Sequence, residues 1–345
     1  MNFMEKNGYG ILVCLAIAIP SWFLGKRIPV AGGPVIAILA GMIITMAWRR
    51  KGNAEAGIKW TSKVVLQAAV VLLGFGMNLG VIFRTGKQSL PIIICTITTS
   101  LVIARLLQKV LKVPVNTSIL VGVGSSICGG SAIAATAPVV DAKDDEIAQS
   151  IAVIFFFNVL AAIFFPVLGK AIGFDTMHGD AFGIFAGTAI NDTSSVTAAA
   201  STWDSMWNLG SETLNKAVTV KLTRTLAIIP ITLGLSWIRT KKSVSEGTQA
   251  SAFQLKRAFP MFILYFVIAA LITTICVHMG VDAAAFYPFK ELSKFMIIMA
   301  MAAIGLNSNV IQLIRTGGKP IVIGASCWSG ITVVSLAMQH LMKIW

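Results

Sequence analysis

The sequence predicts an all-α, polytopic membrane protein of about eleven transmembrane segments, with discontinuous or re-entrant helices and inverted repeats. Three observations predict this fold class. The 345-residue chain is 56% hydrophobic and only 12% charged, whereas a soluble domain carries about a quarter charged residues. Its apolar runs approach the roughly 20 residues with which a helix crosses a bilayer. Two pairs of similar motifs recur inside those runs.

Short connections separate the apolar segments, so the whole chain, 1–345, is expected to form one transmembrane domain. The predicted segments are 8–25, 33–48, 62–83, 89–108, 117–140, 147–169, 181–201, 214–238, 259–279, 293–314 and 320–342. The longest polar stretch, at about 239–258, is expected to be a linker between segments.

Basic residues between the segments predict the orientation. The net charge is +14, and Lys and Arg cluster in short tracts such as Arg49-Arg50-Lys51 and Arg239-Thr240-Lys241-Lys242. This pattern indicates cytoplasmic loops rather than a nucleic-acid partner. We therefore expect a multi-pass protein of the cell (inner) membrane, with its N-terminus in the cytoplasm and its C-terminus outside.

The cysteine and histidine patterns favour neither a metal site nor an enzyme. The five cysteines form no CxxC motif, and the three histidines are scattered along the chain. No nucleophile–base pair is recognisable, so no catalytic activity and no cofactor are expected. Cys128 is not expected to act as a nucleophile, because no histidine is placed to activate it.

Two internal similarities predict a repeated architecture. GMNLGVIFRTGKQSLP from Gly76 resembles GLNSNVIQLIRTGGKP from Gly305, with a small internal shift. GSSICGGSAIAA from Gly124 resembles GTAINDTSSVTA from Gly187. The first pair lies seven segments apart, so its members are expected to run in opposite directions, as in the inverted repeats of many transporters.

The glycine-serine stretch from Gly124 has three interpretations. It has no lysine and follows no strand, so it is not a phosphate-binding loop. Its small residues suit close helix packing or a simple kink. The favoured interpretation is a helix that unwinds near Gly129 and Gly130 and directs the positive end of a half-helix at an anion. Its candidate substrate-binding residues are Ser125, Ser126, Cys128, Gly129 and Gly130.

The matching stretch, GTAINDTSSVTAAA, places Asn191 and Asp192 inside an apolar run. Intramembrane carboxylates are costly and usually face a cavity or a partner, so Asn191, Asp192, Thr193 and Ser194 are candidate substrate-binding residues. The alternative is that Asp192 caps a helix that begins at Thr193. Whether 117–140 and 181–201 cross the membrane in parallel, or re-enter from opposite faces, stays open.

The segment NKAVTVKLTRTLAIIP contains two cations, Lys221 and Arg224, deep in the predicted span and on one helix face. Cations at this depth need negatively charged company. Asp192 supplies one negative charge, which leaves a surplus of one positive charge and favours an anionic substrate. The alternative is a structural ion pair between Asp192 and Arg224, with Lys221 reaching toward the interface.

Further polar residues lie in other segments. Asn78 and Asn307, together with Asp192, are candidates for binding a coupling ion. Their alternative role is hydrogen bonding between helices.

The stretches LLGFGMNLG, GSSICGGSAIAA, GTAINDTSSVTAAA and VKLTRTLAIIP resemble those of a family of uncharacterised bacterial inner-membrane proteins named as sulfate exporters. That family is similar to the broader group of bile-acid, arsenite and sodium/proton transporters, whose core contains discontinuous helices. The resemblance covers nearly the whole chain and implies a multi-pass transporter with a rocking or elevator motion. The broken motifs of this chain lie closer together than in the broader group.

These observations favour a secondary transporter that exports a small inorganic or sulfur-containing anion, such as a sulfate-, sulfite- or sulfonate-like ion. The alternative is a sodium/proton-type antiporter in which Asp192 titrates, and a passive channel is a third hypothesis. The expected partners are the small anion and the lipid bilayer. A homo-oligomer is compatible with the sequence.

Overall fold

The computed structural model describes residues 3–27, 32–48, 50–227, 231, 234–235, 261–307 and 310–345. All the regular structure in these residues is helical, which confirms the all-α fold class. The main helices are α1 (Phe3–Arg27), α2 (Gly32–Ala47), α3 (Gly52–Gly74), α4 (Leu79–Leu111), α5 (Val115–Ser126), α6 (Gly130–Thr136), α7 (Asp144–Ile172), α8 (Asp180–Ala189), α9 (Thr193–Trp207), α10 (Glu212–Thr225), α11 (Met261–His278), α12 (Tyr287–Asn307) and α13 (Val310–Leu341).

Six apolar stretches of these helices are long enough to cross a bilayer, which agrees with a polytopic membrane protein. They belong to α1, α3, α4, α7, α11 and α13, and α2 is a shorter apolar helix. The predicted linker at 239–258 and residues 228–230, 232–233 and 236–238 of the predicted segment 214–238 lie outside the described residues.

Of two equivalent segment boundaries, the first was predicted wrongly and the second was predicted at a kink that the structure contains. The sequence places breaks at 84–88 and 315–319, whereas the structure ends α3 at Gly74 and α12 at Asn307. The next helices begin at Leu79 and Val310, so the first Arg-Thr-Gly motif lies inside α4. The second motif directly precedes Gly318, whose non-helical φ of +47° and ψ of −142° kink α13 within the predicted break at 315–319. At the first break, the Oδ1 of Asn78 accepts a hydrogen bond from the N–H of Gly80 (2.7 Å). Asn78 is therefore the N-cap of α4, and the helix begins before the basic residue Arg84.

This correction also changes the register of the first repeat. When Leu79 is aligned with Val310, Gly74 matches Gly305 and both Arg-Thr-Gly motifs match with no shift. Hydrogen bonds occupy equivalent positions in this register. Thr273 donates to the carbonyl of Phe75 (2.9 Å), and Thr45 donates to the carbonyl of Leu306 (2.6 Å).

The long helices of this repeat, α4 and α13, run in opposite directions. Lys319, near the beginning of α13, donates to the carbonyl of Leu111 at the end of α4 (3.2 Å). The two helices pack along each other. The predicted inverted relation of the first repeat is therefore confirmed.

The helices form two groups. The first, which we name the scaffold, contains α1, α2, α3, α11 and α12. The second, which we name the hairpin group, contains α4 to α10 and α13. Contacts within each group are extensive, and the contacts between the groups are made mainly by α9, which packs against α2 and α12.

Helices α5 and α6 form a hairpin, hairpin 1, that returns to the end of the molecule from which it starts. Asn116 at the beginning of α5 donates to Glu146 at the beginning of α7 (3.3 Å), and Ser150 one turn later donates to the carbonyl of Thr117 (3.5 Å). Thus α5 and α7 run side by side in the same direction. Because α7 follows α6 after a short loop, α6 must bring the chain back to the starting end.

Helices α8 and α9 form hairpin 2, which enters from the opposite end. The ring of Phe182, near the start of α8, stacks on that of Trp203, near the end of α9, with centroids 4.2 Å apart. Both rings lie beside Gly169, in the last turns of α7. Of the two arrangements that the sequence leaves open, the structure therefore has re-entrant hairpins that enter from opposite ends.

Candidate substrate site at the hairpin tips

The tips of the two hairpins are equivalent, residue by residue. Helices α5 and α8 end at Ser126 and Ala189, and α6 and α9 begin at Gly130 and Thr193. Every residue of the first tip therefore matches the residue 63 positions later, which is the register of the second predicted similarity. The loop residues of the two tips are 127–129 and 190–192.

The tips contact each other at equivalent residues. Gly129 has φ +70° and ψ −130°, a conformation that glycine adopts readily and other residues avoid. A Cβ at this position would lie 3.2 Å from the Cβ of Asp192, which is the equivalent residue of the second tip. Glycine therefore provides both the turn and the close approach.

Helix α10 lies against hairpin 2 and carries the two buried cations. The carboxylate of Asp204, in the last turn of α9, accepts hydrogen bonds from the N–H groups of Thr213 (3.0 Å) and Leu214 (2.9 Å) and so caps the start of α10. A Cβ on Gly187 would lie 2.7 Å from the carbonyl oxygen of Ala217, so α8 and α10 are in backbone contact. This packing brings Lys221 and Arg224 to the tips.

The ammonium group of Lys221 is fully buried and binds carbonyl oxygens of both tips. Its Nζ donates to the carbonyl of Ile127 in hairpin 1 and to those of Ile190 (3.2 Å) and Asn191 in hairpin 2. An ammonium group has three donors, so all three are engaged.

The guanidinium group of Arg224 is also fully buried and joins the same two tips. Its Nε and one terminal nitrogen donate to the carbonyls of Ser126 and Ser125 (both 2.7 Å). The other terminal nitrogen donates to the carbonyls of Thr188 (2.6 Å) and Ile190 (3.2 Å). Ser125 and Thr188 are equivalent, as are Ile127 and Ile190, so each cation binds matching carbonyls of the two hairpins.

These contacts explain how Lys221 and Arg224 are tolerated deep in the protein. The last carbonyls of a helix have no partner within the helix and carry partial negative charge. Lys221 and Arg224 satisfy these groups at the ends of α5 and α8. The alternative of an Asp192–Arg224 ion pair is wrong, since the described residues show no such pair and Arg224 binds carbonyls instead. Sequence reasoning missed the carbonyls, although any broken helix exposes them.

Asp192 caps α9, as the alternative interpretation predicted. Its carboxylate accepts hydrogen bonds from the backbone N–H and hydroxyl of Ser194 (both 2.6 Å) and from the hydroxyl of Ser195 (3.0 Å). Asp192 and Thr193 are half-buried, whereas Ser194 is buried. The carboxylate thus remains at the edge of the tip junction.

The structure brings the other predicted residues of both motifs to the same junction. Cys128 and Asn191 are equivalent buried residues of the two tips. Asn158 of α7, which the sequence analysis left out of the site, accepts a hydrogen bond at its Oδ1 from the N–H of Asn191 (3.2 Å). Beside Gly130 there is open space, because a Cβ at this position would meet no heavy atom within 4 Å.

Asn78 and Asn307 lie at the two helix breaks of the first repeat. Asn78 is exposed at the start of α4, and Asn307 is exposed at the end of α12. Met77, beside Asn78, accepts a hydrogen bond from Thr219 of α10 (3.7 Å). The role of Asn78 and Asn307 in binding a coupling ion stays a prediction.

The tip junction has a surplus of positive charge. Two helix ends with partial negative charge, from α5 and α8, meet two helix starts with partial positive charge, from α6 and α9, and these partial charges of about 0.5 each roughly cancel. Two cations and one carboxylate then leave a formal charge of +1.

A cavity of about 360 Å³ lies between the scaffold and α9, at the end from which hairpin 2 enters. Its polar lining from α9 consists of Ser201, Asp204 and Ser205, and the scaffold contributes Lys26 and Lys294. The cavity therefore lies where the two helix groups meet.

Comparison with known proteins places the chain in a family. A family model described as Conserved hypothetical protein 698 matches residues 9–324. The chain is 58% identical over 346 residues to a UPF0324 membrane protein of Streptococcus mutans, with 100% of both chains covered. It is 56% identical to one of Streptococcus pyogenes serotype M6, with 97% of both covered. A Fusobacterium nucleatum relative is 51% identical, with 99% of this chain and 100% of that protein covered. The chain therefore belongs to the UPF0324 family of membrane proteins.

Proposed function

We propose that this protein is a secondary transporter that exports a small anion and binds it at the junction of the two hairpin tips. The observation that carries this proposal is the formal charge of +1 where two re-entrant hairpins meet. A site of this charge, reached by helix ends and enclosed by protein, attracts a negatively charged ligand.

The backbone at the tips supports a transport site. Irregular backbone is tolerated within a membrane only where it is buried in protein or lines a cavity. Most tip residues are buried, but Asp192 and Thr193 are half-buried and Gly130 faces open space. The tips therefore combine a locally unwound backbone with residues that are partly accessible from outside the protein.

The division into two helix groups supports a moving carrier. The groups touch mainly through α9, and a cavity separates them at one end. We propose that the hairpin group moves against the scaffold to expose the tips to each side in turn. The resemblance to sulfate exporters and the basic loops support a sulfur-containing anion and a cytoplasmic N-terminus.

The test is anion counterflow in vesicles that contain the purified protein. Vesicles preloaded with unlabelled sulfate or sulfite should take up the labelled anion faster than protein-free vesicles. Preloading with sodium gluconate serves as the control. If protein-containing and protein-free vesicles took up labelled sulfate equally, and labelled sulfite equally, the result would contradict the proposal.

A sodium/proton antiporter is the second candidate, and the half-buried carboxylate of Asp192 favours it. Asp192→Asn separates the two candidates because asparagine caps a helix about as well as aspartate. An antiporter that titrates Asp192 would lose sodium-driven proton flux completely. An anion carrier would keep anion counterflow, since the substitution makes the site more positive. If Asp192→Asn lost anion counterflow but kept wild-type sodium-driven proton flux, the expectations of both candidate functions would be contradicted.

A further inference from the structure

The side chain of Asn191 and the hydroxyl of Ser125 are buried hydrogen-bonding groups of the tip junction without partners in the described residues, and Asn191 is the one that lies in a tip loop. It is buried, and within the described residues neither its Nδ2 nor its Oδ1 has a partner. Its backbone is fully engaged, since the N–H donates to Asn158 and the carbonyl accepts from Lys221. Buried polar groups nearly always have partners, so an unpartnered carboxamide at this place indicates a ligand.

The charged groups around Asn191 are occupied by the protein itself. All three donors of Lys221 are directed at carbonyls, and Arg224 makes four such contacts. The Asp192 carboxylate binds Ser194 and Ser195. The two cations therefore supply the charge of the site and hold the hairpins. The side-chain groups left for direct contacts to a ligand are the carboxamide of Asn191 and the hydroxyl of Ser125, and the carboxamide offers both donors and an acceptor.

A carboxamide places a condition on its ligand, because it offers two N–H donors and one carbonyl acceptor side by side. Chloride, nitrate and sulfate only accept hydrogen bonds and would leave the Oδ1 of Asn191 unsatisfied. An oxyanion that carries a hydroxyl group accepts from Nδ2 and donates to Oδ1. Its single negative charge would also match the formal +1 of the junction.

We propose that the substrate is a singly charged oxyanion that carries a hydroxyl group, and that it is bound by both side-chain atoms of Asn191. This inference rests on the proposed anion transport and narrows its substrate class. In this arrangement Asn191 contacts the substrate, and Lys221 and Arg224 provide the positive charge.

The test is the unfolding temperature of the full-length protein in detergent, titrated with four sodium salts at matched ionic strength and at a mildly alkaline pH. Bicarbonate and hydrogenphosphate carry a hydroxyl, with one and two charges respectively. Nitrate and sulfate lack it, again with one and two charges. Bicarbonate should stabilise the protein at the lowest concentration. Nitrate should require a concentration about tenfold higher or have no effect, because one hydrogen bond to a charged group changes affinity by about this factor.

Asn191→Leu is the diagnostic variant, and Thr136→Val is its matched control. Thr136 is also buried with an unpartnered hydroxyl, but it lies at the far end of α6. Without salt, both variants should unfold at or above the wild-type temperature, because neither loses a hydrogen bond. Asn191→Leu should weaken the response to bicarbonate about tenfold or more, whereas Thr136→Val should keep it.

The outcomes separate the inference from the function on which it rests. Equal stabilisation by nitrate and bicarbonate, or an unchanged response in Asn191→Leu, overturns the inference and leaves anion transport standing. A lower unfolding temperature of salt-free Asn191→Leu overturns the premise, because Asn191 would then have partners such as bound water in the empty protein. If none of the four anions stabilises the wild type, the proposed anion site fails as well.

Discussion

At the scale of residues, the site depends on two cations whose partners are backbone carbonyls. Lys221 and Arg224 each bind both hairpins, so they hold the tips together in the way that a capping side chain holds one helix end. Removing either cation would expose several buried acceptors at once. Their first role is therefore structural, and any effect on transport has to be separated from an effect on folding.

Arg224→Met is expected to lower the free energy of unfolding by about 3 kcal/mol, because three carbonyls lose their main partner at about 1 kcal/mol or more each. Lys216→Met, on the same helix, is the control. Lys216 pairs with the largely exposed Asp180 (2.9 Å) and donates to Gln88 (3.2 Å), so its loss should cost about 1 kcal/mol. Thermal unfolding in detergent measures both. An Arg224→Met protein as stable as the control but insensitive to anions would instead make Arg224 a ligand contact.

At the scale of elements, the hairpins show how far sequence alone reaches. The small and polar residues at 124–135 and 187–198 predicted both helix breaks, and the spacing of Lys221 and Arg224 predicted one shared face. The partners of those cations could not be predicted, because carbonyl oxygens belong to every residue and leave no mark in a sequence. The direction of each hairpin also required contacts between distant residues, such as Asn116 with Glu146.

The same limit explains the misplaced boundary near Asn78. Arg84 was interpreted as a loop residue, although a basic side chain in the first turns of a long helix can extend to the interface. In the second copy the predicted break coincides with the kink at Gly318, but the helix end at Asn307 was missed. An alignment of the two copies with no shift would have revealed the common helix start.

The two neighbouring glycines of hairpin 1 are expected to respond differently to alanine. Gly129→Ala forces a side chain into a conformation with positive φ and against Asp192, which should cost about 1–3 kcal/mol. Gly130→Ala meets open space at the first position of α6 and should be neutral or stabilising by up to about 1 kcal/mol. Thermal unfolding of the two variants checks this order.

Gly130→Ala should nevertheless reduce anion counterflow, because its methyl group takes up the space beside the tips. Wild-type counterflow in this variant would show that the open space at Gly130 is not part of the substrate path.

At the scale of the whole molecule, the antiparallel repeat α4/α13 and the opposed hairpins give the hairpin group an approximate two-fold symmetry. Helices α5 and α7 run parallel, as do α8 and α10, and each pair packs against one long repeat helix. The scaffold touches this group mainly through α9. This arrangement allows the hairpin group to move as one body.

The topology predicts the accessibility of loop positions in intact cells. In a variant without the native cysteines, Val115→Cys and Lys143→Cys flank hairpin 1, and Met177→Cys and Ser211→Cys flank hairpin 2. A membrane-impermeant maleimide should label the second pair in intact cells, and the first pair only after permeabilisation, because the basic loops favour the cytoplasm for that end. Labelling of Val115→Cys and Lys143→Cys from different sides would mean that hairpin 1 crosses the membrane.

The formal charge of +1 at the tips has an electrical consequence for such a carrier. With a monovalent anion bound, the charges of the tip junction cancel, and its passage is insensitive to the membrane voltage. Once emptied, it is positive, and a cell interior that is negative draws it back with about 2.3 kcal/mol for each 100 mV that the charge traverses. In the proposed cycle, the resting potential of the cell therefore returns the vacant carrier to the cytoplasm and drives its cargo outward.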